Sequence, residues 1–181
     1  MDIPNVEVLQ REVLLTTRIF RLRADLVRAP DQRTHTWYVL EHPGSVVIVP
    51  IDAHGRVWFV RQYRHAVGRV LLEFPAGTLE PDESPLTCAQ RELAEEIGMR
   101  ATDWLELGTF YVAPGYSSER MVAYLARGLE PVSGASPDAD ELLKPEAYPL
   151  TQVETWMRTG RIQDGKSLAA WLLAQAHLTA A

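Results

Sequence analysis

The stretch 77–99, GTLEPDESPLTCAQRELAEEIGM, limits what this chain can fold into more than any other. Its second half reads as a helix. Ser84 is placed to cap it, Pro85 suits the first helical position, and Gly98 suits the left-handed residue just past the end. Leu86, Ala89, Leu93 and Ile97 form an apolar stripe that predicts packing against a core. Glu92 and Glu96 lie at the edge of that stripe and Glu95 further round. Residues three and four apart share a helix face, and like charges at that spacing oppose each other by about 0.2–0.5 kcal/mol per pair. The crowding predicts a cation among the three carboxylates, at a boundary between core and solvent where a ligand can reach them.

Strands are predicted on both sides of this helix. Residues 19–28 alternate, with Phe20, Leu22, Ala24 and Leu26 on one face. A turn at Ala29, Pro30 and Asp31 leads to a second strand over 35–41. Segments 45–51 and 56–62 flank a short Gly-containing loop and give a hairpin signal. A short strand over 70–74 is broken by Pro75, Ala76 and Gly77. Segments 104–112 and 121–127 flank the loop 113–119. Residues 129–145, with Pro, Gly, Ser and several acids, predict a mobile surface segment. Helices are predicted over 151–158 and 167–177. Strands, helix, strands and helices in that order argue for a mixed α and β domain.

Composition narrows the classes of partner. A net charge of −6 with no basic stripe argues against nucleic acid. Charged residues among the first twenty leave no apolar leader segment, and no run is long enough to span a bilayer, so no membrane partner is expected. The single cysteine, Cys88, rules out an internal disulfide framework and suits a reducing compartment. A cytoplasmic location is the expectation. Cys88 itself reads as a small core or boundary residue, and the five histidines show no metal-ligand spacing.

As a pattern, the same stretch runs Gly77, five residues, Glu83, seven residues, then Arg91-Glu92-Leu93-x-Glu95-Glu96-x-Gly98-Met99. This resembles the Nudix hydrolase box at every fixed position, a highly specific match. Pro114, 15 residues beyond Met99, opens Pro114-Gly115-x-x-x-Glu119, and upstream stand Arg61-Gln62-Tyr63-Arg64 and Glu73-Phe74-Pro75-Ala76-Gly77. Together they look like the ADP-ribose pyrophosphatase branch of that family, a similarity running from about residue 35 to 129.

The resemblance implies an α+β fold: an α/β/α sandwich whose mixed central sheet carries the glutamate helix, with N-terminal antiparallel strands added. It implies strands over 1–43 that serve dimerisation and base binding, and a hydrolase domain over 44–181. A carboxylate cluster suits a hard divalent cation, and by resemblance Glu92, Glu95, Glu96 and the Ala76 carbonyl hold Mg²⁺, or Mn²⁺. Gly77, Glu83, Arg91 and Gly98 are structural by the same analogy, with Arg91 fixing the loop through its planar fork. The general base is Glu119, Glu95 or Glu96. Arg61 and Arg64 are suited to a diphosphate or to salt bridges, and Glu73 either binds the terminal ribose or buttresses Arg64. Trp37 is a candidate to stack on adenine, with Pro114 and Gly115 adding specificity. The implied reaction is metal-dependent hydrolysis of ADP-ribose by a homodimer. Other nucleoside diphosphate sugars (GDP-mannose, ADP-glucose) and a non-catalytic ADP-ribose sensor are the alternatives.

Overall fold

The computed structural model describes residues 6–132 and 143–178. In chain order its elements are β1 (Glu7–Thr16), β2 (Arg21–Arg28), β3 (Thr34–Glu41), β4 (Ser45–Pro50), β5 (Arg56–Arg64), β6 (Arg69–Glu73), β7 (Ala76–Thr78), α1 (Pro85–Ile97), β8 (Met99–Tyr111), β9 (Arg120–Pro131), β10 (Leu143–Pro149), α2 (Leu150–Thr159) and α3 (Gly165–Leu178). Two compact units are formed: one from the chain up to Gly44 with Tyr111–Arg120, the other from Ser45–Phe110 with the chain from Met121 on.

In the second unit, two strands that alternate their side chains set the layering. β4 and β9 pair in parallel, from Ser45 opposite Met121 to Pro50 opposite Ala126. Val47, Val49, Met121, Ala123 and Leu125 point into one core with Val153 and Trp156 of α2 and Ala170, Trp171 and Ala174 of α3. Val46, Ile48, Val122, Tyr124 and Ala126 point the other way, onto Cys88, Ala89, Leu93 and Ile97 of α1. The period of two thus sends successive residues to opposite helical layers. A sheet buried on both faces reads as a near-continuous apolar run, as SVVIVP does here. β7 adds antiparallel to β4, so the four-stranded sheet β7-β4-β9-β8 is mixed, and β10, β5 and β6 form a second, antiparallel sheet. The fold is the expected α+β arrangement of a mixed sheet between helices.

Three local expectations are corrected. Segments 45–51 and 56–62 do not make an extended hairpin: β4 and β5 enter different sheets, and the ladder between the two segments is a single isolated antiparallel bridge, Ile51 to Val57. Their Gly-containing loop instead folds around the Asp52 carboxylate, which accepts from the backbone N–H groups of His54 (2.9 Å) and Arg56 (3.0 Å). The segment read as mobile over 129–145 is partly strand, since β9 runs to Pro131 and β10 starts at Leu143; its middle, 133–142, lies outside the described residues. On α1, Leu86 is 39% exposed and burial begins at Cys88. The buried side is made of Cys88, Ala89, Glu92, Leu93, Glu96 and Ile97, so two of the glutamates lie inside the stripe and not at its edge.

The first unit holds the antiparallel sheet β1-β2-β3. On β2 the buried residues are Asp25 and Val27, the opposite parity to Phe20, Leu22, Ala24 and Leu26. Asp25 is carried inward by a charge partner, Arg23 Nε at 3.0 Å. β1, which shows no clean alternation, is exposed along its whole length, with Val13 and Leu15 each more than half exposed. The loop after β8 is tied to β3: Leu40 N–H donates to the Tyr116 carbonyl (2.8 Å) and Ser118 N–H to the Leu40 carbonyl (2.9 Å). Among the described residues, no helix is long and apolar enough to cross a membrane.

Candidate active site

The site is built on α1 and the loop ahead of it. Ser84 Oγ accepts from Thr87 N–H at 3.2 Å, Pro85 opens the helix, and Gly98 closes it at φ 67° with its N–H on the Ala94 carbonyl. Such a cap contributes about 1 kcal/mol. Burial then holds Glu92 and Glu96 at 7% and 2% exposure, where a carboxylate must find partners.

Arg91 supplies most of them. Its Nε and Nη2 make the two-pronged contact to Glu83 (3.0 Å each), Nη2 also reaches the Thr78 carbonyl (3.3 Å), and Nη1 bridges Glu92 (2.7 Å) and Glu95 (3.0 Å). One guanidinium therefore ties helix to loop and stands as the cation that the crowded glutamates require. The Glu83 hydrogen bond, with the charge of Glu92 behind it, pushes the Arg91 pKa up against the cost of burial. The same hydrogen bond holds the Glu83 carboxyl below its ordinary range. Cys88 lies alongside, 3.4 Å from Arg91 Nη2. Burial raises the pKa of its thiol and so favours the neutral form, which suits a packing residue.

Glu96 turns toward the loop, where its Oε2 accepts from Ala76 N–H at 2.9 Å. Gly77 explains how close the loop comes. A Cβ there would meet Glu92 Oε1 at 1.7 Å, so the residue has to be glycine for the carboxylate to lie across the backbone. The donor set of Glu92, Glu95, Glu96 and the Ala76 carbonyl is all oxygen, the chemistry a hard divalent cation takes. Among the described residues, no three of His, Cys, Asp or Glu are already gathered to hold a metal ion. As the side chains stand, Arg91 holds two of the three glutamates, so the set fits such an ion in donor type and requires those side chains to turn.

A second polar cluster lies on the other side of the loop. Glu73, 1% exposed, receives Arg64 Nε (2.9 Å) and Nη2 (2.7 Å) on its two oxygens, and Lys166 Nζ on Oε2. Burial alone would raise the Glu73 pKa, but the hydrogen bonds and charges of Arg64 and Lys166 outweigh it and the net direction is down. Glu73 is thus a buttress for Arg64, with neither oxygen turned to solvent. Arg61 lies on a two-pronged contact with Glu146 of β10 (2.9–3.3 Å), which also accepts from the Tyr148 hydroxyl. Sequence reading missed Lys166, Asp164 and Glu146. Asp164 left a trace, an acid at the N-cap position of a helix, whereas Glu146 lies on a strand that was not predicted.

The remaining predicted residues belong to the first unit. Trp37, half exposed, lines a groove of about 610 Å³ with Thr36, Tyr38, Pro114, Gly115 and Tyr116. Glu119 follows the same loop, its N–H on Ser117 Oγ (3.1 Å) and its carbonyl accepting from Val112 N–H (3.2 Å).

Comparison with known proteins agrees with this geometry. The NUDIX domain model matches residues 41–172. An ADP-ribose pyrophosphatase of Mycobacterium tuberculosis is 38% identical over 96% of this chain and 84% of its own length. A methanol dehydrogenase activator of Bacillus methanolicus is 30% identical, covering 91% of this chain and 89% of its own. The crystal structure of an ADP compounds hydrolase superposes with a TM-score of 0.85 at 24% identity, covering 98% of this chain and 96% of that one, and so matches the fold. With the box residues assembled on one capped helix and the loop ahead of it, this chain belongs to the Nudix hydrolase family and is an enzyme of its pyrophosphatase kind.

Proposed function

We propose that the protein hydrolyses the diphosphate of ADP-ribose to AMP and ribose 5-phosphate. The observation that supports this reading is that Glu96 and Glu92 meet the Ala76–Gly77 backbone while Arg91 gathers Glu92 and Glu95 on the same helix, so that four oxygen donors lie within reach of one another. Glu92, Glu95, Glu96 and the Ala76 carbonyl would hold Mg²⁺ or Mn²⁺. The ion would neutralise diphosphate charge and lower the pKa of a bound water.

The chain's own residues do the rest. Arg64 is fixed by Nε and Nη2 on Glu73, which leaves Nη1 to offer a phosphate oxygen; its side chain is 41% exposed. Arg61 must first release Glu146, so it is the second choice for that role. Water attacks one phosphorus and the bridging oxygen leaves with the other phosphate. The water's proton passes to Glu119, Glu95 or Glu96 as base. Trp37, Pro114 and Gly115, which share one groove, are assigned to the adenosine. Two copies of the chain are expected to pair through β1, whose exposed Val13, Leu14 and Leu15 make an apolar strand of the kind that marks an interface. A monomer at working concentration by light scattering would remove that expectation.

Relatives named ADP-ribose pyrophosphatase at 38% and 27% identity support the substrate. A GDP-mannose pyrophosphatase of Yersinia enterocolitica at 29% keeps a second sugar nucleotide in view. The test is kcat/KM with Mg²⁺ on ADP-ribose, GDP-mannose, ADP-glucose, NADH and a diadenosine polyphosphate. ADP-ribose is expected to rank first, and a rank below the others overturns the assignment. Tight ADP-ribose binding with no metal-dependent turnover would make the protein a sensor instead.

A further inference from the structure

Lys166 goes against helix electrostatics. It stands in the first turn of α3, the end where the helix dipole disfavours a cation. Its side chain is nevertheless mostly buried, at 12% exposure. Two carboxylates account for it: the ammonium donates to Glu73 Oε2 and, at 3.0 Å, to Asp164 Oδ2. Asp164 Oδ2 also accepts from Ser167 N–H (3.0 Å) and Ser167 Oγ (2.6 Å), and Ser167 Oγ accepts in turn from Phe74 N–H (2.8 Å). The start of α3 therefore grips the side chain of residue 73 and the backbone of residue 74.

The next two residues are tied as well. The Pro75 carbonyl accepts from Ile48 N–H at 2.9 Å, and Ala76 N–H donates to Glu96 at 2.9 Å. Every residue from 73 to 76 thus has at least one anchoring contact, and the run ends at the carbonyl assigned to the metal. Arg64 takes the other side of the Glu73 carboxylate. Without the ammonium, Glu73 and Asp164 would be two largely buried acids sharing the single cation Arg64.

We propose that Lys166 is a positioning residue of this hydrolase: by clamping Glu73 to Asp164 it both aims Arg64 and holds the Ala76 backbone beside Glu96. This rests on the reading of the site as a metal-dependent one. No step of the reaction passes through Lys166 itself.

The test compares wild type with Lys166→Met and Lys166→Arg in three measurements. These are amide hydrogen exchange at Ala76 against Val47 and Val49, the Kd for Mn²⁺ by titration, and kcat and KM for ADP-ribose. In Lys166→Met, exchange at Ala76 is expected to quicken while the β4 amides keep their protection. Mn²⁺ affinity and kcat are expected to fall by about 10-fold or more, the cost typical of losing a group that orients metal ligands, with KM changing less. Lys166→Arg should recover most of both. Unchanged Ala76 exchange and Mn²⁺ affinity in Lys166→Met overturns the proposal. So does a loss of protection that reaches β4 equally, which would mark a merely structural lysine. Wild type that binds Mn²⁺ but ignores ADP-ribose refutes the substrate reading alone, since exchange and Mn²⁺ affinity still judge Lys166. Wild type that binds no Mn²⁺ removes the site reading and this proposal with it.

Discussion

Two acidic clusters flank the same four-residue loop and are built on opposite charge balances. On the α1 side, Glu83, Glu92 and Glu95 share the single guanidinium of Arg91, and Glu96 adds a fourth carboxylate one turn on. On the α3 side, Glu73 and Asp164 meet Arg64 and Lys166, two acids with two cations. Buried charge is tolerable when it is paired and hydrogen-bonded. The neutral cluster is therefore complete as it stands and works as support. In these contacts the α1 cluster sets four carboxylates beside one guanidinium, and the proposed divalent cation is assigned there. On the proposed function, net charge separates the residues that would hold the ion from those that support them.

The contrast is broken most severely at Glu96. Glu96→Gln keeps an oxygen that accepts from Ala76 N–H, so the loop should stay in place while one negative charge is lost. If the surplus charge is what binds the ion, kcat with Mg²⁺ should fall by about 10²–10³-fold, the scale seen when one preorganised electrostatic contact is removed, with little change in the urea unfolding midpoint. Wild-type turnover in this variant would take Glu96 out of the metal set.

Glu73→Gln is expected to do the reverse. It leaves Arg64 and Lys166 facing an uncharged amide, and losing one partner of a buried pair costs about 3–5 kcal/mol. Arg64 is 41% exposed and can turn to solvent, which favours the lower end. Urea unfolding is the measurement. A variant as stable as wild type would mean that the cluster is not the support described. Gly77→Ala probes the loop between the two. Its new Cβ would meet Glu92 Oε1 at 1.7 Å, and forcing that carboxylate aside should cost about 1–3 kcal/mol. Its effect on Mn²⁺ affinity should exceed that of Glu73→Gln at matched stability, because Glu92 is displaced directly.

The α1 cluster was legible in the sequence because it is local. Cap, helix, arginine and glutamates lie within 23 consecutive residues, from Gly77 to Met99, and helical spacing alone brings them together. The neutral cluster was not, because Glu73 and Lys166 lie 93 residues apart and meet only through packing of α3. The same reason explains the failed hairpin. Residues 45–51 and 56–62 have the local signature of paired strands, yet β4 pairs with β7 and β9, partners from far along the chain. β10 went unseen because Pro145, Pro149 and two charged residues hide its alternation, and its pairing to β5 supplies the order. On α1 the apolar pattern located the core but understated it. The glutamates inside the buried stripe could not be told from edge residues by periodicity, since a helix face about 100° wide has no sharp boundary.

The smallest effect belongs to Arg61 and Glu146, an ion pair nearer the surface with Lys144 Nζ 3.7 Å from Glu146 Oε1. The Arg61 hydrogen bond, helped by Tyr148, lowers the Glu146 carboxyl from 4.5 to about 2. A carboxylate whose folded pKa is depressed adds stability above its unfolded value and loses it as the pH falls through the folded one. The difference in urea midpoint between wild type and Glu146→Gln should therefore be constant from neutral pH down to about 4.5 and close as the pH approaches 2. Arg61 is 42% exposed, so screening keeps the whole difference below about 1 kcal/mol. Mg²⁺ then sharpens the contrast between supporting ion pairs and the proposed metal site. It should raise the midpoint of both proteins by the same amount, because ligand binding stabilises the native state by mass action and Glu146 is not among the residues assigned to the ion. A Mg²⁺ increment that shrinks in Glu146→Gln would show that charge balance does not separate support from metal site in this enzyme.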